Sequence, residues 1–242
     1  MGEAKYKRVL LKISGEALAG EKHHGLDFGI IGNVCDVVKE AVSMGVQVGI
    51  VVGAGNFWRG AKDGGGRMER TRADQMGMLG TVMNCLAVAE VLEQKGVDAR
   101  VQTAVEMGPV AERYSRPQAV RHLEKGRVVL FGGGSGNPFF STDTAAVLRA
   151  AEIGADVILL AKNVDGVYSA DPVKDPAAVK FDEITYSEVL ARHLAVMDTT
   201  ATSLAMDNSI PVLVFALKDP ENIIRALKGE QTGTIVKEDT TK

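Results

Sequence analysis

Cysteine is scarce in this chain. Cys35 and Cys85 are the only two in 242 residues, and no Cys-x-x-Cys or His-x-x-x-His spacing occurs. Structural zinc is therefore left without a ligand pattern, and both thiols fall within apolar helical stretches that suit burial. Positive charge is not in excess either: 28 Lys and Arg stand against 31 Asp and Glu, a net charge of −3. The basic stretch of a nucleic-acid binder is missing, so no nucleic-acid partner is expected. Arg67, Arg70 and Arg72 read as a local anion patch or a solvated loop. No signal-peptide pattern and no long apolar span stand out, which leads to the expectation of a soluble, cytoplasmic protein without a membrane partner. Internal repeats, low-complexity tracts and Pro-rich linkers are also absent.

Apolar residues are plentiful, at 45%, enough for a large shared core. Segments 8–14, 46–53, 99–105, 127–133, 156–163 and 211–217 are short β-branched runs that read as buried strands. Helical periodicity lies between them. Ile30, Val34, Val37 and Ala41 share one face, and Met76, Leu79 and Met83 share another, which reads as core. Thr142-Asp143 occupies an N-cap position before an Ala/Leu helix that ends near Gly154, and Asp74 is a candidate cap for the Met-rich helix. The alternation predicts one α/β domain over 1–242, a three-layer αβα sandwich on a central, mostly parallel sheet. Asp165-Gly166, between Val164 and Val167, predicts a tight hairpin after the fifth strand.

Ligands of open α/β sheets bind beyond the carboxyl ends of the strands, and the unusual residues collect there. SGEALAG (14–20) follows the first strand, with Lys12 near its end. GAGNFWRG (53–60) follows the second, GGGSGNPFFSTD (132–143) the fourth and KNVDGVYSADP (162–172) the fifth. Glycine lets backbone N–H groups approach an anion, while Lys12 and Arg59 supply fixed positive charge. Asp143 is placed to orient lysines or to face Mg²⁺. Several such loops suit two phosphorylated ligands meeting head to head, as direct phosphoryl transfer requires. Each loop alone is more often plain turn chemistry than a phosphate site. Phe139 and Phe140 read either as walls for a base or as core. Trp58 reads as a stacking platform or, slightly favoured, an oligomer contact. His23 and His24 read as an exposed loop pair, and His122 and His193 as structural residues on polar helix faces.

Taken together, VLLKISGEAL, VVGAGNFWRG, ADQMGMLGTVMN, GNPFFSTDTAA and KNVDGVYSADP resemble the bacterial uridylate (UMP) kinases of the amino acid kinase superfamily, from about residue 6 to residue 236. The resemblance implies the amino acid kinase-like fold and the reaction of ATP, as its Mg²⁺ complex, with UMP to give UDP and ADP. It implies a homohexamer, with GTP as activator and UTP as inhibitor in many members. It places Lys12, Ile13, Ser14 and Gly15 on the ATP phosphate loop, Gly55 and Arg59 on further ATP-contacting positions, and Asn163, Tyr168 and Asp171 around adenine and ribose. For UMP the matching positions are Ala54, Asp74, Ser135, Gly136, Asn137, Pro138, Phe139, Phe140, Ser141 and Thr142. Lys12, Arg59 and Asp143 take the catalytic roles. Gly20, Glu21, Lys22, His23, His24 and Gly25 match the segment linked to GTP. The N-terminal half would serve mainly UMP and the C-terminal half mainly ATP.

Ala54 stands where many members carry glycine, which a backbone contact tolerates only at negative φ. Two alternatives remain: a superfamily kinase acting on a small acid, and a non-catalytic nucleotide-binding storage or sensor protein of the same fold.

Overall fold

The computed structural model describes residues 4–238, the side chain of Ala61 excepted. Its strands are β1 (Arg8–Ile13), β2 (Gln47–Val52), β3 (Ala99–Thr103), β4 (Glu112–Arg113), β5 (Val128–Gly132), β6 (Val157–Lys162), β7 (Glu183–Thr185), β8 (Val212–Ala216) and β9 (Thr234–Lys237). The helices are α1 (Gly15–Ala19), α2 (Phe28–Ser43), α3 (Gly60–Asp63), α4 (Arg70–Gln94), α5 (Arg116–Glu124), α6 (Thr142–Ile153), α7 (Tyr186–Ala191), α8 (Thr199–Asp207) and α9 (Asn222–Leu227).

One sheet runs in the order β4-β3-β5-β2-β1-β6-β8-β9-β7, and every pairing is parallel except β8 with β9. The six strands expected from apolar runs are its contiguous middle, and all but β3, where Arg100 and Val101 are partly exposed, are buried almost throughout. The three unexpected ones, β4, β7 and β9, lie towards its edges, where short strands of mixed polarity suffice.

The period of two divides the core. Val9, Leu11 and Ile13 of β1 face one apolar cluster with α2, α4 and α9. Leu10 faces the other, with α5, α6, α7 and α8. Lys12 follows Leu10 on that second face, so its ammonium emerges at the carboxyl end of the central strand beside the start of α6.

Several expectations change in three dimensions. The Met76, Leu79 and Met83 stripe of α4 points outward, with Leu79 47% and Met83 50% exposed. Met78, Val82, Cys85, Val88 and Leu92 are among the apolar side chains buried instead. Both stripes are apolar, so periodicity finds them without saying which meets the sheet. At 25 residues, α4 is also long and apolar enough to cross a membrane by length and composition, yet more than half of its apolar window is buried inside the fold. That is ordinary for a core helix. Its N-cap is Glu69, so Asp74 lies inside the helix.

Ser141, rather than Thr142-Asp143, caps α6 and accepts from the N–H groups of Asp143 and Thr144. That helix ends at Gly154, as expected, and the glycine closes it in the left-handed conformation. Asp165-Gly166 forms no two-residue hairpin, and Gly166 has no positive φ. The chain returns only at an antiparallel bridge between Tyr168 and Lys180, while Asp165 accepts from the Tyr168 hydroxyl and Lys180. An added Cβ on Gly166 would lie 2.6 Å from the Thr234 hydroxyl, so close packing is the reason for the glycine. His193 lies just beyond α7 with φ 52°, not on a helix face.

Candidate active site

The loops after β1, β2 and β5 meet in one cleft of about 430 Å³ at the carboxyl edge of the sheet. Its lining includes Lys12, Ser14, Gly15, Ala54, Gly55, Arg59, Asp74, Ser135, Asn137, Phe139, Phe140, Ser141, Thr142 and Asp143. Ile13, Gly136 and Pro138 belong to the same segments without lining it; Ile13 is buried in the core.

Lys12 is 8% exposed and its Nζ lies 2.6 Å from Asp143 Oδ1. That oxygen is buried and has no aligned hydrogen-bond donor, so the contact is coulombic. Burying a lysine in a strand is tolerable when a carboxylate faces it. The first turn of α6 presents Asp143 because Ser141 fixes the helix start. Ser141 and Thr144 in turn donate to the carboxylate of Asp198, which also caps α8 through Ala201 N–H. The Lys12–Asp143 pair is thus held from β1, α6 and α8 together.

Lys162, at the end of β6, is the second cation of this group. It donates to the Val196 carbonyl. Burial pushes its ammonium below the ordinary lysine pKa; nearby Asp143 opposes that shift and Lys12 adds to it. Arg59 lies nearer the mouth, half-exposed and paired with Glu16.

The loop after β5 carries unusual backbone. Gly133, Gly134 and Gly136 have φ of 78°, 60° and 81°, and Phe139 has φ 71°. A left-handed phenylalanine costs about 1–2 kcal/mol, and it is held in place. Asp74 Oδ2 accepts the Phe139 N–H at 2.8 Å, and the Arg70 guanidinium lies 5.4 Å from the Phe139 ring centroid. Phe139 and Phe140 are exposed at the mouth, so they are not core. Ala54 is not among the described residues with positive φ, so its side chain leaves the backbone unstrained.

Tyr168 and Asp171 line a separate cleft of about 360 Å³ with His193 and Arg192, and the exposed Asn163 lines neither cleft. Gly20, Glu21 and Lys22 form a 3-10 turn, His23 and His24 are exposed, and Gly25 N–H donates to the Asn56 carbonyl. Met78 and Thr81, which sequence reasoning overlooked, also line the main cleft, as do Arg70, read as part of an anion patch or solvated loop, and Trp58, for which an oligomer contact was slightly favoured. Trp58 Nε1 donates to Ala73 O, so this side chain belongs to the cleft wall. The Arg70–Asp74 spacing of four on a helix was the legible signal for Arg70. Both thiols are buried, as expected, and burial pushes Cys35 and Cys85 up to about 12.

The family model described as "Amino acid kinase family" matches residues 7–216. Among solved structures, a UMP kinase from Bacillus anthracis is 38% identical, with a TM-score of 0.93 and 97% of each chain covered. A UMP kinase from Ureaplasma parvum is 35% identical, with a TM-score of 0.91, over 97% of this chain and 100% of that one. A uridylate kinase from Archaeoglobus fulgidus is 29% identical, with a TM-score of 0.74, over 94% and 99%. With a parallel αβα core, a buried Lys–Asp pair and a match over most of its length, this chain belongs to the amino acid kinase family.

Proposed function

We propose that this protein is a UMP kinase, transferring the γ-phosphoryl group of ATP to UMP to give UDP and ADP. The observation that carries the reading is the Lys12–Asp143 pair, where the Ser14-Gly15 and Gly53–Arg59 loops meet the 133–143 loop in one cleft. The resemblance of the whole chain to UMP kinases selects the acceptor.

The chain works as one amino acid kinase-type domain. The phosphate tail of ATP lies against Lys12, Ser14, Gly15, Gly55 and Arg59, and its adenosine extends towards Asn163, Tyr168 and Asp171. UMP lies against Ala54, Asp74 and the 135–142 segment. A UMP phosphate oxygen attacks the γ-phosphorus in line as the bond to the β–γ bridging oxygen breaks, and both electrons of that bond leave with ADP. No general base is required, because the attacking oxygen is already ionised. Lys12 and Lys162 neutralise charge on the transferred group, Arg59 closes from the mouth, and Asp143 holds the two lysines apart and oriented.

No cluster of three carboxylate, His or Cys side chains suited to a metal occurs among the described residues. Mg²⁺ would arrive on the ATP phosphates, with the Asp143 carboxylate, already paired with Lys12, as a side chain of the cleft that could face it. When bound, the ion neutralises phosphate oxygens.

The same reading makes the protein cytoplasmic and homo-oligomeric, a hexamer as in the family it resembles. A second copy would cover Met76, Leu79, Met83 and Leu86 on α4, which are exposed in the single chain. GTP would act through residues 20–25, and UTP would inhibit.

The test is ADP release from Mg²⁺–ATP with UMP, CMP, dTMP, AMP, acetylglutamate and carbamate as separate acceptors. Turnover with UMP alone is expected. Turnover with a small acid would move the protein elsewhere in the family, and tight nucleotide binding without turnover would make it a sensor or storage protein.

A further inference from the structure

Two asparagines that play no part in the proposed chemistry are buried behind the cleft. Asn56 is 1% exposed and Asn84 is fully buried. Their amides form a reciprocal pair, Asn56 Nδ2 to Asn84 Oδ1 at 2.9 Å and Asn84 Nδ2 to Asn56 Oδ1 at 2.8 Å. The remaining donors are used as well. Asn84 Nδ2 reaches the Gly53 carbonyl at 2.7 Å, and Asn56 Nδ2 reaches the Gly25 carbonyl at 2.7 Å. Gly25 N–H returns to the Asn56 carbonyl at 3.0 Å. A buried side-chain network this fully satisfied admits one arrangement of the groups it joins, because each alternative leaves a polar atom unpaired.

The joined groups are the loops of the cleft. Gly53 N–H continues the β1–β2 ladder to the Ile13 carbonyl at 2.9 Å. Gly15 packs so tightly on Gly53 and Asn56 that an added Cβ would lie 2.6 Å from Asn56 Oδ1. An added Cβ on Gly53 would lie 3.4 Å from the Thr142 hydroxyl. The height of Gly53 therefore sets the spacing of three loops. Asn84 belongs to α4, and the same helix holds Gly133 N–H through Thr81 Oγ1 and Phe139 N–H through Asp74. Positions 74, 81 and 84 are spaced by seven and three, which places them on one face.

We infer that Asn84 is a positioning residue for phosphoryl transfer, its amide pair with Asn56 holding the Gly53–Arg59 loop at the height the reacting phosphates need. Asn84 touches neither substrate and acts through Gly53 and Asn56. The inference rests on the kinase reading above. The geometric demand is steep: a misplacement of about 1 Å costs on the order of a hundredfold in rate. The binding contacts of each nucleotide are spread along the cleft and are far less sensitive to one loop's height.

The test compares the wild-type enzyme with Asn56→Leu/Asn84→Leu, Asn84→Asp and the core control Val189→Ala. The readouts are Tm and steady-state kcat and KM for both nucleotides, well below the lowest Tm. Replacing both partners of a buried pair with apolar groups spares the fold much of the cost of orphaning one. The double variant is expected to melt below wild type, because the Gly53 and Gly25 carbonyls lose their donors, yet when folded to show kcat lowered about tenfold to a hundredfold with each KM within about threefold, a loss that Val189→Ala does not reproduce. Val189→Ala should keep wild-type kcat. If the double variant fails to fold, Asn84→Asp decides by the same readout, since it still accepts from Asn56 Nδ2 and loses the donors to Gly53 and Asn56. A kcat within twofold of wild type in the folded variants overturns the positioning role and leaves the kinase reading intact. A wild-type enzyme inert towards UMP overturns the kinase reading and the inference with it.

Discussion

Gly15→Ala tests the geometry of the cleft with a single methyl group. Gly15 has no positive φ, so alanine meets no backbone strain there and the effect is steric. The added Cβ would lie 2.6 Å from Asn56 Oδ1 and 2.8 Å from the Gly53 carbonyl carbon, with the carbonyl oxygen closer still. Carbon–oxygen contacts settle at about 3.3–3.6 Å, so the two loops must separate by roughly 1 Å. Gly53 is tied to Ile13 on one side and Asn84 on the other, so the displacement falls on the Ser14-Gly15 loop. A shift of that size predicts a loss of on the order of a hundredfold in kcat, equivalent to about 2.7 kcal/mol of transition-state stabilisation. Overpacking should lower stability by about 1–3 kcal/mol as well. ADP release measured with a coupled assay, alongside a thermal melt, separates the two effects. A kcat within threefold of wild type in a folded variant would refute the idea that contact between these loops sets the reaction geometry.

Lys12→Ala is expected to lower kcat by about two orders of magnitude or more, and near-normal turnover would remove Lys12 from the mechanism. Asp74→Asn weakens the hold on Arg70 while leaving an acceptor for Phe139 N–H, so it should raise KM for UMP chiefly. A change confined to ATP would mean that the two pockets are reversed. Burial depresses the Lys162 pKa, so the alkaline limb of kcat/KM should fall below the ordinary lysine value of 10.5, activity decreasing as the ammonium loses its proton. Lys162→Arg should move that limb upward, and an unmoved limb would exclude Lys162 as its source. The same shift has a stability sign. Between the lowered folded value and 10.5 the unfolded chain binds more protons, so stability attributable to Lys162 rises with pH across that window. Leu79→Glu places a charge on the exposed stripe of α4 and should yield smaller species in sedimentation if a second copy covers that face; an unchanged species would place the contact elsewhere.

The parallel middle of the sheet and the glycine loops at its carboxyl edge were legible in the order of residues alone. A β-branched run reports a strand buried on both faces, and a glycine cluster at its carboxyl end reports where backbone approaches an anion. Lys12 was legible for the same reason, as a lone cation inside a buried run. Strands β4, β7 and β9 were not legible, because edge pairing needs only a neighbour with free backbone groups and leaves little pattern. The Asp165-Gly166 pair suggested a local turn, yet Gly166 is small because Thr234 and Lys180 lie against it, and those partners arrive from far along the chain. Helix α4 shows the division most fully. The Met76, Leu79 and Met83 stripe was visible and read as core, but only packing decided that it faces outward. Packing also decided that Asp74, Thr81 and Asn84 face the glycine loops. Helical period fixes which residues share a face. Which face turns inward depends on the apolar and polar groups it meets there, and those belong to other segments.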